Sequence, residues 1–197
     1  LTMRSALKQV RTVLIDPEGE YRTITQSLGG ATIVIAPDST SLINPFDIEE
    51  EDEVDDGGRP TGAKIVKNNE KVADLLNLIG VMCGTIDNEQ RSLISYAIRE
   101  LYSDFGFTED PASLYLDNVD LNNRGEFVHH GRKKPMPTFS DFHRKLEEVS
   151  KMDANKCLVN VANALRMFKK GGVYGMFDNQ TSPNLQNFKD APVVTFD

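Results

Sequence analysis

Apolar positions along the chain change their spacing twice, and that change divides it. Residues 10–16, Val-Arg-Thr-Val-Leu-Ile-Asp, and residues 31–36, Ala-Thr-Ile-Val-Ile-Ala, are short β-branched runs closed by Pro17 and Pro37. Each reads as a strand. Both are continuously apolar rather than alternating, which predicts strands covered on both faces, as in a parallel α/β sheet. Between them, residues 21–28 predict one amphipathic helical turn stopped by Gly29-Gly30. A third run, Ala191 to Asp197, predicts a returning buried strand.

From residue 70 to 170 the spacing becomes helical. Val72, Leu75, Leu76 and Ile79 recur at i, i+3, i+4 and i+7, one face of a helix. Asp87 with Gln90 is a capping-box start, followed by the face Leu93, Ile94, Ala97, Ile98, Leu101 and Phe105, with Gly106 as the stop. Thr138 with Asp141 is another start, and Phe142, Leu146 and Val149 supply its stripe. Leu158, Val161, Ala162, Leu165 and Phe168 form the last stripe, ended by Lys169-Lys170 and Gly171-Gly172. The expected organisation is an interrupted α/β core at 1–47 and 185–197, an acidic flexible loop at 48–70, and an all-α insertion at 71–184.

Composition adds little to this except in charge. The chain has 197 residues, 39% hydrophobic and 26% charged, with no run long enough to span a bilayer. The net charge is −8, which argues against a surface built to clamp nucleic acid. Seven carboxylates fall in the eight residues Glu49 to Asp56, and without them the chain is nearly neutral. A solvated loop is the expected form, and the spacing fits no EF-hand. Cys83 and Cys157 lack metal-site spacing and are expected as two buried thiols. Leu1-Thr2-Met3-Arg4 does not read as a natural start, so a piece of a longer chain is expected.

The chemistry on offer is sparse. Gly57 to Ile65 imitates a phosphate loop, yet Ala63 separates Gly62 from Lys64 and Ile65 stands where a hydroxyl is required. It is expected to be a decoy. Asp16, Glu18 and Glu20 follow the first strand, where α/β folds bind ligands; they could order a water or a metal shell, or Asp16 could simply cap a turn. His129-His130-Gly131-Arg132-Lys133-Lys134 is a small basic patch with no third metal ligand, and His143 is expected as a partly exposed helical histidine. No metal site is expected, and no nucleophilic elbow or zinc-protease motif occurs.

Taken in order, these segments resemble one family. Val13-Leu-Ile-Asp-Pro-Glu-Gly-Glu-Tyr21, Ser27-Leu-Gly-Gly30, Leu42-Ile-Asn-Pro-Phe-Asp47, Pro137-Thr-Phe-Ser-Asp141, Gly171 to Phe177 with Asn179-Gln180-Thr181, and Val193 to Asp197 are similar to successive motifs of one group. That group is the large cytoplasmic motor ATPases of type IV secretion and conjugative transfer, of the HerA/FtsK-like, RecA-fold kind. The resemblance implies a partial RecA-like P-loop NTPase sheet with a large helical insertion. It places the Walker A loop before Leu1 and Walker B after Asp197, so ATP and Mg2+ would serve the parent protein and not this piece. It assigns Asp16 and Glu20 to the catalytic edge and identifies no nucleotide-binding residue within the chain. A homo-oligomeric ring, secretion machinery at the inner membrane face and a peripheral cytoplasmic location follow from it as well. A related DNA translocase and a non-enzymatic helical adaptor remain as alternatives.

Overall fold

The computed structural model describes residues 10–37, 39, 42–116, 131–152, 156–182 and 191–197. Three short strands, β1 (Thr12–Ile15), β2 (Ala31–Ile33) and β5 (Val193–Phe196), form one parallel sheet in the order β1-β5-β2. In register, Ile15 and Ile33 both face Phe196. The last strand thus enters between the first two, and everything from residue 42 to 182 is inserted between β2 and β5. Helix α1 (Arg22–Ser27) links β1 to β2. Gly30 admits the close pass of α1 over the sheet, because a Cβ there would lie 2.4 Å from the Val193 carbonyl oxygen.

Continuous apolarity is explained differently for each strand. In β5, Val193, Val194 and Thr195 are fully buried, as a central strand requires. The Thr195 hydroxyl meets that of Thr25 at 2.6 Å. The expectation that the first two strands are covered on both faces is not met. β1 is an edge strand with alternating exposure, and Ile15 is 84% exposed. β2 is the other edge, with Ile33 buried but Ala31 and Thr32 only partly so.

The largest departure lies at residues 48–70. The expected acidic loop is an antiparallel hairpin of β3 (Glu50–Val54) and β4 (Pro60–Val66). Carboxylate-rich sequence is a poor strand former by itself. Here Asp52 meets Lys64 across the pair at 2.5 Å, and Lys67, just beyond β4, reaches Glu51 at 3.2 Å. Glu53 instead accepts from the Thr61 hydroxyl at 2.7 Å. The Asp55 carboxylate accepts from Gly57 and Arg59 N–H, both at 2.9 Å, and closes the turn. The solvated character holds, since Glu51 and Asp52 are exposed.

Four helices follow: α2 (Asn68–Cys83), α3 (Asn88–Asp104), α4 (Phe139–Ser150) and α5 (Leu158–Leu165). Both expected capping boxes form, Asp87 with Gln90 and Thr138 with Asp141. The apolar stripes converge as the spacing predicts. Val72, Leu75, Ile79, Ile94, Ile98, Leu101, Phe142, Leu146, Leu158 and Leu165 share one core, joined by Phe46, Ile48 and Val66 from the preceding segment and hairpin. A second, much smaller cluster sits under the sheet, with Ile33 and Val194 buried and Ile43, Ala191 and Phe196 packed beside them.

Two single-residue expectations are corrected. His143 is not partly exposed; it is 1% exposed, with Nε2 2.8 Å from the Ala162 carbonyl oxygen of α5. Cys83 and Cys157 are free but half-buried rather than buried, and burial pushes the Cys83 thiol up to about 11. Among the described residues no helix is long and apolar enough to cross a membrane.

Candidate functional site at the carboxyl edge of the sheet

The carboxyl ends of parallel strands point into a common crevice, the usual ligand position in open α/β sheets. Here that edge carries acids. Asp16 directly follows β1 and Asp197 directly follows β5, on neighbouring strands in register. The Asp16 N–H donates to the Phe196 carbonyl at 2.7 Å, and the Asp197 N–H donates to that of Ile33 at 2.9 Å. Both residues are therefore fixed by the sheet itself.

Asp16 is 3% exposed. Its Oδ2 accepts the Tyr21 N–H at 2.8 Å, and its carbonyl accepts the Gly19 N–H at 3.2 Å. This carboxylate thus organises the turn into α1, as the turn-capping alternative requires. Gly19 takes a φ of 69°, and a Cβ there would stand 3.2 Å from an Asp197 oxygen, so glycine suits both the backbone and the space. Glu18 and Glu20, on the same turn, are exposed. The Arg22 guanidinium, in the first turn of α1, pairs through Nη2 with Asp197 Oδ2. Sequence reasoning missed Arg22, because its partner lies 175 residues away and no local spacing signals it.

These residues fit one side of a nucleotide site. Strand-end carboxylates and an anchored guanidinium suit a terminal phosphate and the water or metal shell around it. A phosphate cradle is not among the described residues. The β1–α1 turn spends its Gly19 and Tyr21 N–H groups on Asp16 and carries two glutamates that repel phosphate. The decoy at Gly57–Ile65 lies in the β3–β4 hairpin, with Lys64 committed to Asp52.

A second charged region joins the insertion to the sheet. The segments 42–47 and 178–182 lie side by side: Ser182 N–H donates to the Leu42 carbonyl at 2.9 Å, and Asn44 N–H to the Thr181 hydroxyl at 2.8 Å. Buried Asn44 also donates from Nδ2 to the Pro137 carbonyl at 2.9 Å, and Gln180 bonds the Met136 backbone in both directions. Asp178 was not singled out by the sequence. It is 5% exposed and accepts from Ser140 N–H and Lys170 N–H, both at 2.7 Å, and from the Ser140 hydroxyl. Three of the motif segments thus meet at one junction.

Beside this junction lies a cleft of about 250 Å³ lined by Asp47, Lys71, Glu70 and Asp74 among others. Burial raises the Asp47 carboxyl, against the lowering effects of Thr181, Lys71 and Lys133. Burial lowers the Lys71 ammonium more than Asp47 and Asp74 raise it. Above the ordinary carboxylate range, as pH rises through the raised folded value, Asp47 costs stability. For Lys71 the unfolded chain holds its proton to higher pH, so stability rises with pH between the lowered folded value and the ordinary lysine value.

His129-His130 lies outside the described residues. Of the basic patch beyond it, Lys133 approaches Glu50 at 3.8 Å and Lys134 sits 5.6 Å from the Phe107 ring centroid.

A three-stranded parallel sheet, its last strand inserted centrally after a helical excursion, is an α/β arrangement consistent with part of a RecA-like sheet. Among solved structures the chain is similar to VirB4 of Thermoanaerobacter pseudethanolicus, with a TM-score of 0.66 and 15% identity. That likeness covers 99% of this chain and 43% of the VirB4 chain, so the present chain spans less than half of its structural neighbour. At this identity it speaks for the fold. No protein-family model matches the sequence, and no curated protein matches it.

Proposed function

We propose that this chain is part of the motor core of a type IV secretion (conjugative transfer) ATPase. The longer polypeptide would supply the phosphate loop and the Walker B strand, and this piece alone would not turn over ATP. The observation that carries the reading is the carboxyl edge of the sheet, with Asp16, Glu20, Arg22 and Asp197 gathered where the fold binds ligands. The VirB4-like fold over 99% of the chain and the ordered motifs from Asp16 to Asp197 support it.

In this reading, Mg-ATP bound in the parent supplies the phosphoanhydride whose cleavage drives movement. Asp16 holds the β1–α1 turn in place, and Glu20 projects from that turn to order the attacking water or the metal's water shell. The parent acts as a ring on the cytoplasmic face of the inner membrane, against other secretion components. Nucleic acid is not favoured as a direct ligand of so acidic a piece.

A helical adaptor is the second reading, favoured by the helical block holding nearly all the buried core. ATP turnover by the full-length protein separates the two. The motor reading expects Mg2+-dependent hydrolysis, with this chain alone at background. Glu20→Gln should lower kcat by about a hundredfold, the scale of a lost general-base or water-ordering group. Its melt should stay unchanged, because Glu20 is exposed. Full-length wild-type protein that neither binds nor hydrolyses ATP contradicts the motor reading, and full activity in Glu20→Gln removes the role given to that residue.

A further inference from the structure

The Arg22–Asp197 pair has features that a surface ion pair does not need. It joins the first turn of α1 to the end of the central strand, across 175 residues of chain. Its two members are unequally covered: the Asp197 side chain is 13% exposed and that of Arg22 53%. Asp197 is the fixed partner, held by backbone bonds on both sides, its N–H to the Ile33 carbonyl and its carbonyl to the Ile35 N–H at 2.8 Å. It also lies against Gly19, whose missing side chain leaves it room. Arg22 is held through one nitrogen, and the rest of its donor fork is open to solvent.

Charge around the pair points the same way. Asp16 and Asp197 end neighbouring strands, and Glu18 and Glu20 stand on the adjoining turn. An edge this acidic repels a polyphosphate unless a cation is fixed within it. Among the described residues of the β1–α1 turn and the three strand ends, Arg22 is that cation. A guanidinium pinned at one corner has lost much of its rotamer freedom and presents its remaining N–H groups in a planar fork suited to phosphate oxygens.

We propose that Arg22 contacts a terminal phosphate of the bound nucleotide, and that Asp197 is its positioning residue. This rests on the motor reading above and extends it by assigning a phosphate-contacting residue inside the chain. The contact is formed at the terminal phosphate, so it discriminates between nucleoside triphosphate and diphosphate.

The test is equilibrium binding to the full-length protein of Mg2+ with a non-hydrolysable ATP analogue, and separately of Mg-ADP, for wild type, Arg22→Ala, Arg22→Lys and Asp197→Asn. Loss of one charge-assisted phosphate contact should weaken the ATP analogue about tenfold in Arg22→Ala. ADP affinity should change little. Arg22→Lys should recover part of the loss, and Asp197→Asn should show a smaller loss of the same kind. Melts without nucleotide report whether the pair is only a structural staple. Equal losses for both nucleotides, or a lowered melt with unchanged binding, would overturn the assignment. Arg22→Lys serves as the decisive variant if the alanine protein fails to fold. Wild-type protein that binds neither nucleotide removes the motor reading and this inference with it, an outcome distinct from wild-type binding that Arg22→Ala leaves intact.

Discussion

Phe142→Ala should destabilise the chain by about 4 kcal/mol, the scale of truncating a fully buried aromatic side chain. Phe142 is 0% exposed and lies on α4 between Phe46, at 5.3 Å between ring centroids, and Phe139, at 6.1 Å. Phe46 belongs to the segment that leaves the sheet, and Phe139 packs at a tilt against Phe168, 5.8 Å away. Removing the Phe142 ring therefore opens a cavity bordered by Phe46 and Phe139, and Phe139 is also held by Phe168. Val194→Ala, in the small cluster under the sheet, deletes fewer atoms and should cost markedly less. Urea unfolding of both variants checks the contrast, and a Phe142→Ala loss below that of Val194→Ala would contradict the placement of the main core in the helical block.

Asp178→Ala should cost about 3 kcal/mol, although the residue touches no candidate catalytic group. Its carboxylate serves three donors from two segments, Ser140 N–H and hydroxyl in the first turn of α4 and the Lys170 N–H beyond α5. Ser140 N–H is one of the four amides that the start of a helix leaves without an internal partner, and a carboxylate there also complements the helix dipole. Alanine would strand all three donors in a site where Asp178 is 5% exposed. Asp178→Asn keeps an acceptor but turns an amide nitrogen towards donors, so an intermediate loss is expected. Equal stability of Asp178→Ala and wild type in urea would show that water replaces the carboxylate freely.

What could be read from sequence was what is decided locally. Both capping boxes span three residues, so Asp87 with Gln90 and Thr138 with Asp141 announce themselves. The strands around Val13, Thr32 and Val194 are short apolar runs between breakers; they pair in parallel as expected, though only β5 has the two-faced burial that continuous apolarity predicts. Asp16 was nominated from its place after a strand, and its burial and turn contact agree with the alternative that it caps.

The rest depends on partners distant in sequence. β3 is paired antiparallel with β4, a partner that acidic propensity alone does not announce, and Lys64 and Lys67 offset the charge of Asp52 and Glu51 there. His143 looked partly exposed because the carbonyl that receives it, at Ala162, belongs to another helix. Ile15 looked buried because an edge strand and a central strand can share one apolar pattern. Arg22 carried no signal because its partner, Asp197, lies 175 residues away.

The most direct measurement is an experimental structure of the full-length protein with Mg2+ and a non-hydrolysable ATP analogue. The terminal phosphate is expected beyond the ends of β1 and β5, on the side of Glu20 and Arg22. Nucleotide seated elsewhere, in the Asp47–Lys71 cleft or among the helices, would contradict it.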